Sequence, residues 1–353
     1  MLKANKTLPG EGIGKILIRG TNWIGDAVLT LPAVAAIRMN YPQAHIAVLA
    51  KPWVADIYQL GSDVDEIIIY EKRFDNPLGV LRLARLLKER KFNLAILLQN
   101  AVEAAIIAAV AGIPLRAGYN TDGRGIFLTH SVRRNAAIKK VHQIDYYLEM
   151  VGALGLASAG GQINLEKRIN PNAALSVLKK YGLAEKKIIT GIAPGATYGP
   201  AKRWFPQRFA AVADLLADCC GCAVVIMGGK SDDAAAEEVQ RQAKNALTNL
   251  AGKTTLAEAV HIISQCSLFI SNDSGLMHIA GALNIPTIAI FGSTNPVTTK
   301  PAGSQSVIIR KEVSCSPCLQ ETCAGDFRCM DLITVEDVVG AARQFLTGKR
   351  VAP

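Results

Sequence analysis

The sequence predicts an α/β protein of two successive parallel-sheet domains. Three observations carry that expectation. The chain has 353 residues, more than the roughly 250–300 at which a single core stops growing. Short β-branched runs ending in glycine alternate with helical stretches, which is the grammar of parallel sheets. That grammar restarts after a charged join in mid-chain.

The first run is "KILIRG" at Lys15–Gly20, followed by the helical spacing of "TNWIGDAVLTLPAVAAIRMNYP" and a second strand, "HIAVLA". Further strands are expected at "EIIIY" and "LAILLQ" with helices between them. Around "LKKYGLAEKK" the chain becomes polar and charged. Then "IITGIAPG" reads as a strand, "PQRFAAVADLLAD" as a helix and "CAVVIMGG" as a strand. The series continues with helices "DDAAAEEVQRQAKN" and "LAEAVHIISQ", strand "LFISN", helix "GLMHIAGALN" and strand "TIAIFG". Two Rossmann-like halves emerge, taken as residues 1–175 and 176–353. Continuous apolar strands fit sheets covered on both faces. The last helical stretch, "TVEDVVGAARQFL", is read as able to pack back across the first half.

Half the residues are hydrophobic and 19% are charged, an ordinary globular composition. The formal net charge is +10, from 39 basic and 29 acidic residues, which points to an anionic partner. Nucleic acid is disfavoured, since only 6% of residues are aromatic and no basic stripe alternates with stacking rings. In "LRLARLLKERK", Arg82, Arg85 and Lys88 share one helical face, which reads as solvated. The N-terminus "MLKANKTLPGEG" has no secretory apolar region. The longest apolar run, from Ala104, is about 12 residues and too short to span a bilayer. The expectation is a cytoplasmic protein that touches the inner face of a membrane without crossing it.

Eight cysteines occur. Cys315, Cys318, Cys323 and Cys329 lie close together in "CSPCLQETCAGDFRC", and the first pair has C-x2-C spacing. A bound metal, a redox-labile site and plain free thiols all stay open at this point. Cys219, Cys220 and Cys222 read as core filler.

Ligands of open α/β sheets bind at the carboxyl ends of strands, so the polar residues there are the candidates. After the first strand comes Arg19-Gly20-Thr21-Asn22-Trp23-Ile24-Gly25-Asp26. It lacks the Gly-Lys-Ser/Thr of a phosphate loop and the G-x-G-x-x-G of a dinucleotide site. Asp26 is either a first-turn carboxylate or a base. In the second half, "APGATYGPAKRW" offers tight-turn glycines, the Thr197 hydroxyl and the cations Lys202 and Arg203, which suit phosphate or a plain surface. Ser231 or Asp232 in "GGKSDD" is placed to meet a ribose hydroxyl. Strand "LFISN" delivers Asp273, Ser274 and Gly275 to a helix start, where exposed amides bind phosphate and glycine permits close approach. His278 lies one turn inside, as a site residue or a core histidine. No acidic constellation suited to Mg²⁺ stands beside this seat.

"GDAVLTLPA", "PGATYGPAKRW", "LAGKTTLAEA" and "SNDSGLMHIAGAL…GSTNP" occur in the order seen in the ADP-heptose:lipopolysaccharide heptosyltransferases, glycosyltransferase family nine, which this chain resembles over nearly its whole length. "PGATYGPAKRW" and the four-cysteine segment are most similar to the heptosyltransferase II branch. The resemblance implies a GT-B architecture, with two Rossmann-like domains facing an interdomain cleft. The first would bind acceptor and the second nucleotide sugar. It implies inverting transfer of heptose from ADP-heptose to the heptosyl-Kdo-lipid A inner core, without metal or cofactor. By motif, Asp26 resembles the general base. Lys202 would neutralise the diphosphate, with Thr197 in the phosphate loop and Ser274 and Gly275 holding it. Asp273 resembles the acid that contacts the donor sugar, and His278 its neighbouring histidine. Asn22, Arg116 and Arg124 are expected on the acceptor side, with Arg133, Arg134, Lys139 and Lys140 adding positive charge in first-half loops. Phe327 stands where the family often has histidine, which speaks against a metal at the cysteines. The rival expectations are another family-nine transferase with a different core or O-antigen acceptor, and a non-catalytic nucleotide-sugar binder.

Overall fold

A computed structural model describes residues 2–61 and 63–346 and divides the chain into two compact units, Met1–Gln162 and Ile163–Pro353. In the first unit the chain runs β1 (Lys15–Arg19), α1 (Ile24–Asn40), β2 (His45–Ala50), α2 (Ala55–Leu60), β3 (Glu66–Ile69), α3 (Pro77–Glu89), β4 (Leu94–Leu97), α4 (Val102–Val110), β5 (Leu115–Tyr119), β6 (His130–Val132) and α5 (Gln143–Ala153). The sheet order is β3-β2-β1-β4-β5-β6, and every pairing is parallel. The middle strands β1, β2 and β4 are buried almost throughout. That is why they read as unbroken apolar runs with no alternation.

The second unit repeats the plan. It runs α6 (Pro171–Lys180), β7 (Ile189–Ala193), α7 (Pro206–Cys220), β8 (Ala223–Ile226), α8 (Asp233–Gln242), β9 (Thr248–Asn249), α9 (Leu256–Ile263), β10 (Leu268–Asn272), α10 (Gly275–Ala282), β11 (Thr287–Ile290), α11 (Pro296–Thr299), β12 (Ser306–Ile309), α12 (Arg328–Asp331) and α13 (Val335–Leu346). Its order is β12-β11-β10-β7-β8-β9, also parallel throughout. Counted within each unit, both sheets have the strand order 3-2-1-4-5-6 of the doubly wound fold. The order reverses between β1 and β4 in one and between β7 and β10 in the other, and such switch points are where open sheets bind ligands.

Three expectations change. The units part at 162/163 and not at 175/176, because α6 packs on α9 and so goes with the second unit. The apolar face of α13 is spent on α7 and the second sheet, with Val338, Val339 and Ala342 in that unit's core. Of the three neighbouring cysteines only Cys222 is buried, while Cys219 is exposed, so Cys219 fills no core.

Local chemistry sets several boundaries. Thr255 caps α9 and forms a reciprocal capping box with Glu258, satisfying two otherwise unpaired amides. Asn76 and Asn170 cap α3 and α6 ahead of a proline at the first helical turn, the position proline tolerates best. Trp204 is fully buried, donates its indole N–H to the Ile333 carbonyl at 3.1 Å and stands edge-on to Phe209. It locks the loop after β7 into the core.

Candidate functional site

In the second unit the switch point is held by one amide side chain. Asn272, the last residue of β10 and fully buried, donates to the Pro194 carbonyl at 2.7 Å and accepts from the Trp204 amide at 3.0 Å. Both partners lie in the segment that follows β7. The strands are neighbours in the sheet, and Asn272 ties their exits together.

The loop after β7 is shaped by what surrounds its glycines. A Cβ on Gly195 would run into the Asp232 carboxylate, and one on Gly199 into the backbone carbonyl of Glu321. Glu321 accepts from the Ala201 amide at 3.0 Å, and Tyr198 donates its hydroxyl to the Leu319 carbonyl at 3.0 Å. The cysteine segment therefore serves as a backbone ledge under this loop. Its four cysteines are all free thiols. Among the described residues no group of three or more His, Cys, Asp or Glu side chains is arranged to hold a metal ion.

From this loop Lys202 reaches Asp273, Nζ to Oδ2 2.7 Å, with side chains 15% and 4% exposed. A pair this withdrawn from water is strongly coupled, since desolvated charges lose hydration that only a close partner replaces. The Lys202 ammonium also lies 5.0 Å from the centre of the Tyr198 ring. Asp273 is approached from the other side by His278, Nε2 to Oδ1 3.9 Å. Ser274 caps α10, accepting from the Met277 amide at 3.4 Å, and its hydroxyl lies 2.9 Å from that of Ser271. Gly275 opens the helix, whose first amides have no acceptor within it and whose dipole favours an anion. Thr197 is exposed in the loop after β7. The structure thus brings Lys202, Asp273, Ser274, Gly275 and His278 to one strand edge, a cation and amide donors around a buried carboxylate. That set can bind a diphosphate and neutralise charge that develops on it.

Asp232 is held into its own loop. It is buried and accepts from the Gly229 amide at 2.9 Å, so one carboxylate oxygen shapes its own loop. Ser231, its neighbour, is exposed.

In the first unit the loop from Gly20 to Asp26 is built around Tyr58. A Cβ at Gly20 would sit 2.8 Å from the Tyr58 ring, so glycine alone lets the ring slide beneath the loop. The Tyr58 hydroxyl accepts from the Thr21 amide at 2.9 Å and lies 3.2 Å from the Thr30 hydroxyl. Full burial raises its pKa. Buried Arg19 donates to the Gly20 carbonyl at 2.7 Å, to the Leu49 carbonyl at 3.2 Å and to the Asn22 Oδ1 at 3.1 Å. Trp53 donates its indole N–H to the Asn22 carbonyl at 2.8 Å. Asp26 follows, half-buried in the first turn of α1. Nearby Tyr147 is pushed far above the usual phenol range, first by burial and then by the Asp26 carboxylate. Asp26 is thus a carboxylate at a strand exit with a nonionised phenol for a neighbour.

Two expected acceptor contacts are occupied elsewhere. Arg116 lies at the start of β5, not in a loop, and donates to the Ile113 and Phe127 carbonyls at 2.5 and 2.6 Å. Arg124 is completely buried and donates to the carbonyls of Tyr119 and Gln99 and to Asn100 Oδ1. Burial pushes its guanidinium down to about 10, still charged at neutral pH. Both hold backbone turns together. Arg133, Lys139 and Lys140 are exposed and Arg134 is half-buried. No described helix is long and apolar enough to cross a membrane.

Tyr58, Trp53, Trp204 and Asn272 were not singled out by the sequence as site residues. One signal was present: Lys-Pro-Trp directly after a buried strand puts an aromatic at a ligand-facing edge.

Comparison with known proteins places these observations in context. The model of glycosyltransferase family 9 (heptosyltransferase) matches residues 80–327. Lipooligosaccharide heptosyltransferase 2 of Haemophilus influenzae is 33% identical over 316 residues, covering 84% of this chain and 88% of that one. Lipopolysaccharide heptosyltransferase 2 of Escherichia coli is 29% identical with the same coverage. Among solved structures, E. coli ADP-heptose LPS heptosyltransferase II superposes with a TM-score of 0.82 at 27% identity, over 96% of this chain and 100% of that one.

Proposed function

The chain belongs to glycosyltransferase family 9, and from that premise we propose that it transfers L-glycero-D-manno-heptose from ADP-heptose to heptosyl-Kdo-lipid A, with inversion at the anomeric carbon. The observation that carries the donor side is the Lys202–Asp273 pair beside the capped start of α10. Its support on the acceptor side is Asp26, a carboxylate at the matching switch point of the first sheet. The relatives named lipooligosaccharide and lipopolysaccharide heptosyltransferase 2 support an acceptor of lipopolysaccharide type.

In this reading Asp26 accepts the proton of the acceptor hydroxyl as its oxygen attacks the anomeric carbon. The bond to the departing phosphate oxygen breaks, and ADP leaves with the electron pair. Lys202 and the amides of Ser274 and Gly275 stabilise the charge that grows on the diphosphate. Such preorganised donors are worth most where charge develops during the reaction. Asp273, with His278 against it, orients Lys202 and meets the hydroxyls of the donor sugar. Thr197 supplies a hydroxyl to the phosphates, and Asn22 fixes the loop that carries the base. No cofactor enters the scheme. The acceptor is an anionic lipid, so the basic surplus of the chain would favour its approach at a membrane face.

The test is direct. Purified protein is incubated with ADP-heptose and heptosyl-Kdo-lipid A, and the product is followed by mass spectrometry together with ADP release. A mass increase of one heptose with stoichiometric ADP supports the proposal. ADP binding without product, or transfer only to a different core acceptor, replaces it with one of the rival readings.

A further inference from the structure

Tryptophan is the side chain least suited to water, yet two of the three in this chain stand out in it. Trp23 is 56% and Trp53 is 54% exposed, while Trp204 is fully buried. The Trp53 side chain is built in place and the backbone of Trp23 is held beside it. Trp53 hydrogen-bonds at 2.8 Å to the Asn22 carbonyl, which belongs to the peptide joining Asn22 to Trp23. Trp23 is the N-cap residue of α1 and accepts from the Ala27 amide through its carbonyl at 2.8 Å. Asp26 follows three residues later on the same helix.

Cations back this arrangement. The Lys51 ammonium lies 5.8 Å from the centre of the Trp53 ring and 3.9 Å from that of Tyr70, and it pairs with Asp75. Arg19, buried under the loop, holds the Asn22 side chain, and its Nε has no hydrogen-bond partner among the described residues. The Trp53 indole is thereby fixed at a strand exit beside the Lys51 ammonium, and Trp23 stands exposed three residues before Asp26.

We propose that Trp53 and Trp23 form a stacking seat for a pyranose ring of an acidic acceptor sugar, holding its hydroxyl at Asp26. A pyranose presents a face of C–H bonds that covers an indole well. An anchored indole gives up little freedom on binding, which is why tryptophans dominate recognition surfaces. The formal +10 charge of the chain favours an acceptor bearing carboxylate or phosphate. This seat rests on the transfer reaction proposed above and adds the element that positions the acceptor.

The experiment compares Trp53→Ala, Trp53→Phe and Trp23→Ala with the unaltered protein, using heptosyl-Kdo-lipid A freed of its ester-linked acyl chains. Trp53→Ala is expected to raise the acceptor KM about tenfold or more, the scale of a stacked hot spot. The KM for ADP-heptose should move less than twofold, and Trp53→Phe should recover most of the loss. In parallel, acrylamide quenching reads indole exposure directly. The acceptor should shield the unaltered protein, and ADP should not. An acceptor KM within twofold of the unaltered value in Trp53→Ala overturns the seat while leaving the transferase intact. Absence of any transfer by the unaltered protein overturns the transferase, and the quenching experiment then still decides the seat, since unchanged quenching with acceptor removes it.

Discussion

Lys202 and Asp273 meet at 2.7 Å although they come from different strand exits, the first following β7 and the second β10. Each is thus the other's ion-pair partner across two strand exits. Lys202→Ala should cost turnover by about 10²–10³, the loss typical of removing one donor to developing charge. It should also lower thermal stability, since Asp273 stays buried without its cation. ADP release and a melting curve on the same sample check both effects. Full activity would show that the ammonium does not face the donor.

Asp26 tests the other half of the chemistry. Asp26→Asn preserves size and polarity and removes proton acceptance, so turnover should fall by about 10²–10⁴. Stabilisation of the protein by ADP should persist, because ligand binding raises stability by mass action whatever the fate of the base. An active Asp26→Asn protein would assign the base elsewhere.

Since Arg116 and Arg124 spend their guanidinia on backbone carbonyls, acceptor attraction falls to exposed charges. The double change Arg133→Glu with Lys139→Glu should raise the acceptor KM several-fold at low salt. The effect should shrink near physiological ionic strength, where screening lengths are about 8 Å. Kinetics at two salt concentrations provide the check. Arg116→Ala, in contrast, should destabilise the fold without a salt-dependent change in KM.

Acid stability isolates one surface pair. Glu258 is lowered from 4.5 to about 2, chiefly by the Lys180 side chain and then by the Thr255 amide. A depressed carboxylate stabilises the fold above its unfolded pKa, and that stability is lost as pH falls through the folded value. The contribution should therefore vanish between about pH 4.5 and about pH 2. Glu258→Gln should be less stable at neutral pH and show a flatter stability curve across that window. Denaturant titrations at several pH values measure it.

The doubly wound plan was legible because central parallel strands are apolar on both faces, so "KILIR", "HIAVLA" and "LFISN" stand out without alternation. Outside the sheet centres the signal was uneven: the edge strand β3 was visible as "EIIIY", while β5 and β12 were not. β5, which lies next to the edge, reads "LRAGY" and the edge strand β12 "SVII", and polar residues and glycine in such peripheral strands mask the signal. The glycine-bounded loops drew attention to Asp26, Lys202 and Asp273 as charged residues after apolar strands, and the structure pairs the last two. Arg116 and Arg124 misled for the converse reason. A charge in sequence does not reveal whether carbonyls 3 to 25 residues away will claim it. Asn272 and Tyr58 stayed hidden because an amide or a phenol inside an apolar stretch acquires meaning only from its neighbours in space.

Asn272 deserves its weight in any survey of inactive variants. Its amide fastens the Pro194 carbonyl and the Trp204 nitrogen, so the aim of Lys202 depends on a neutral residue sealed from solvent. If the proposed donor site is right, a change there would present as weakened nucleotide binding, although the altered atoms lie beneath the loop. Sorting mutations by their distance from a ligand would file this position under harmless interior, when it is the rivet through which two strand exits share an alignment.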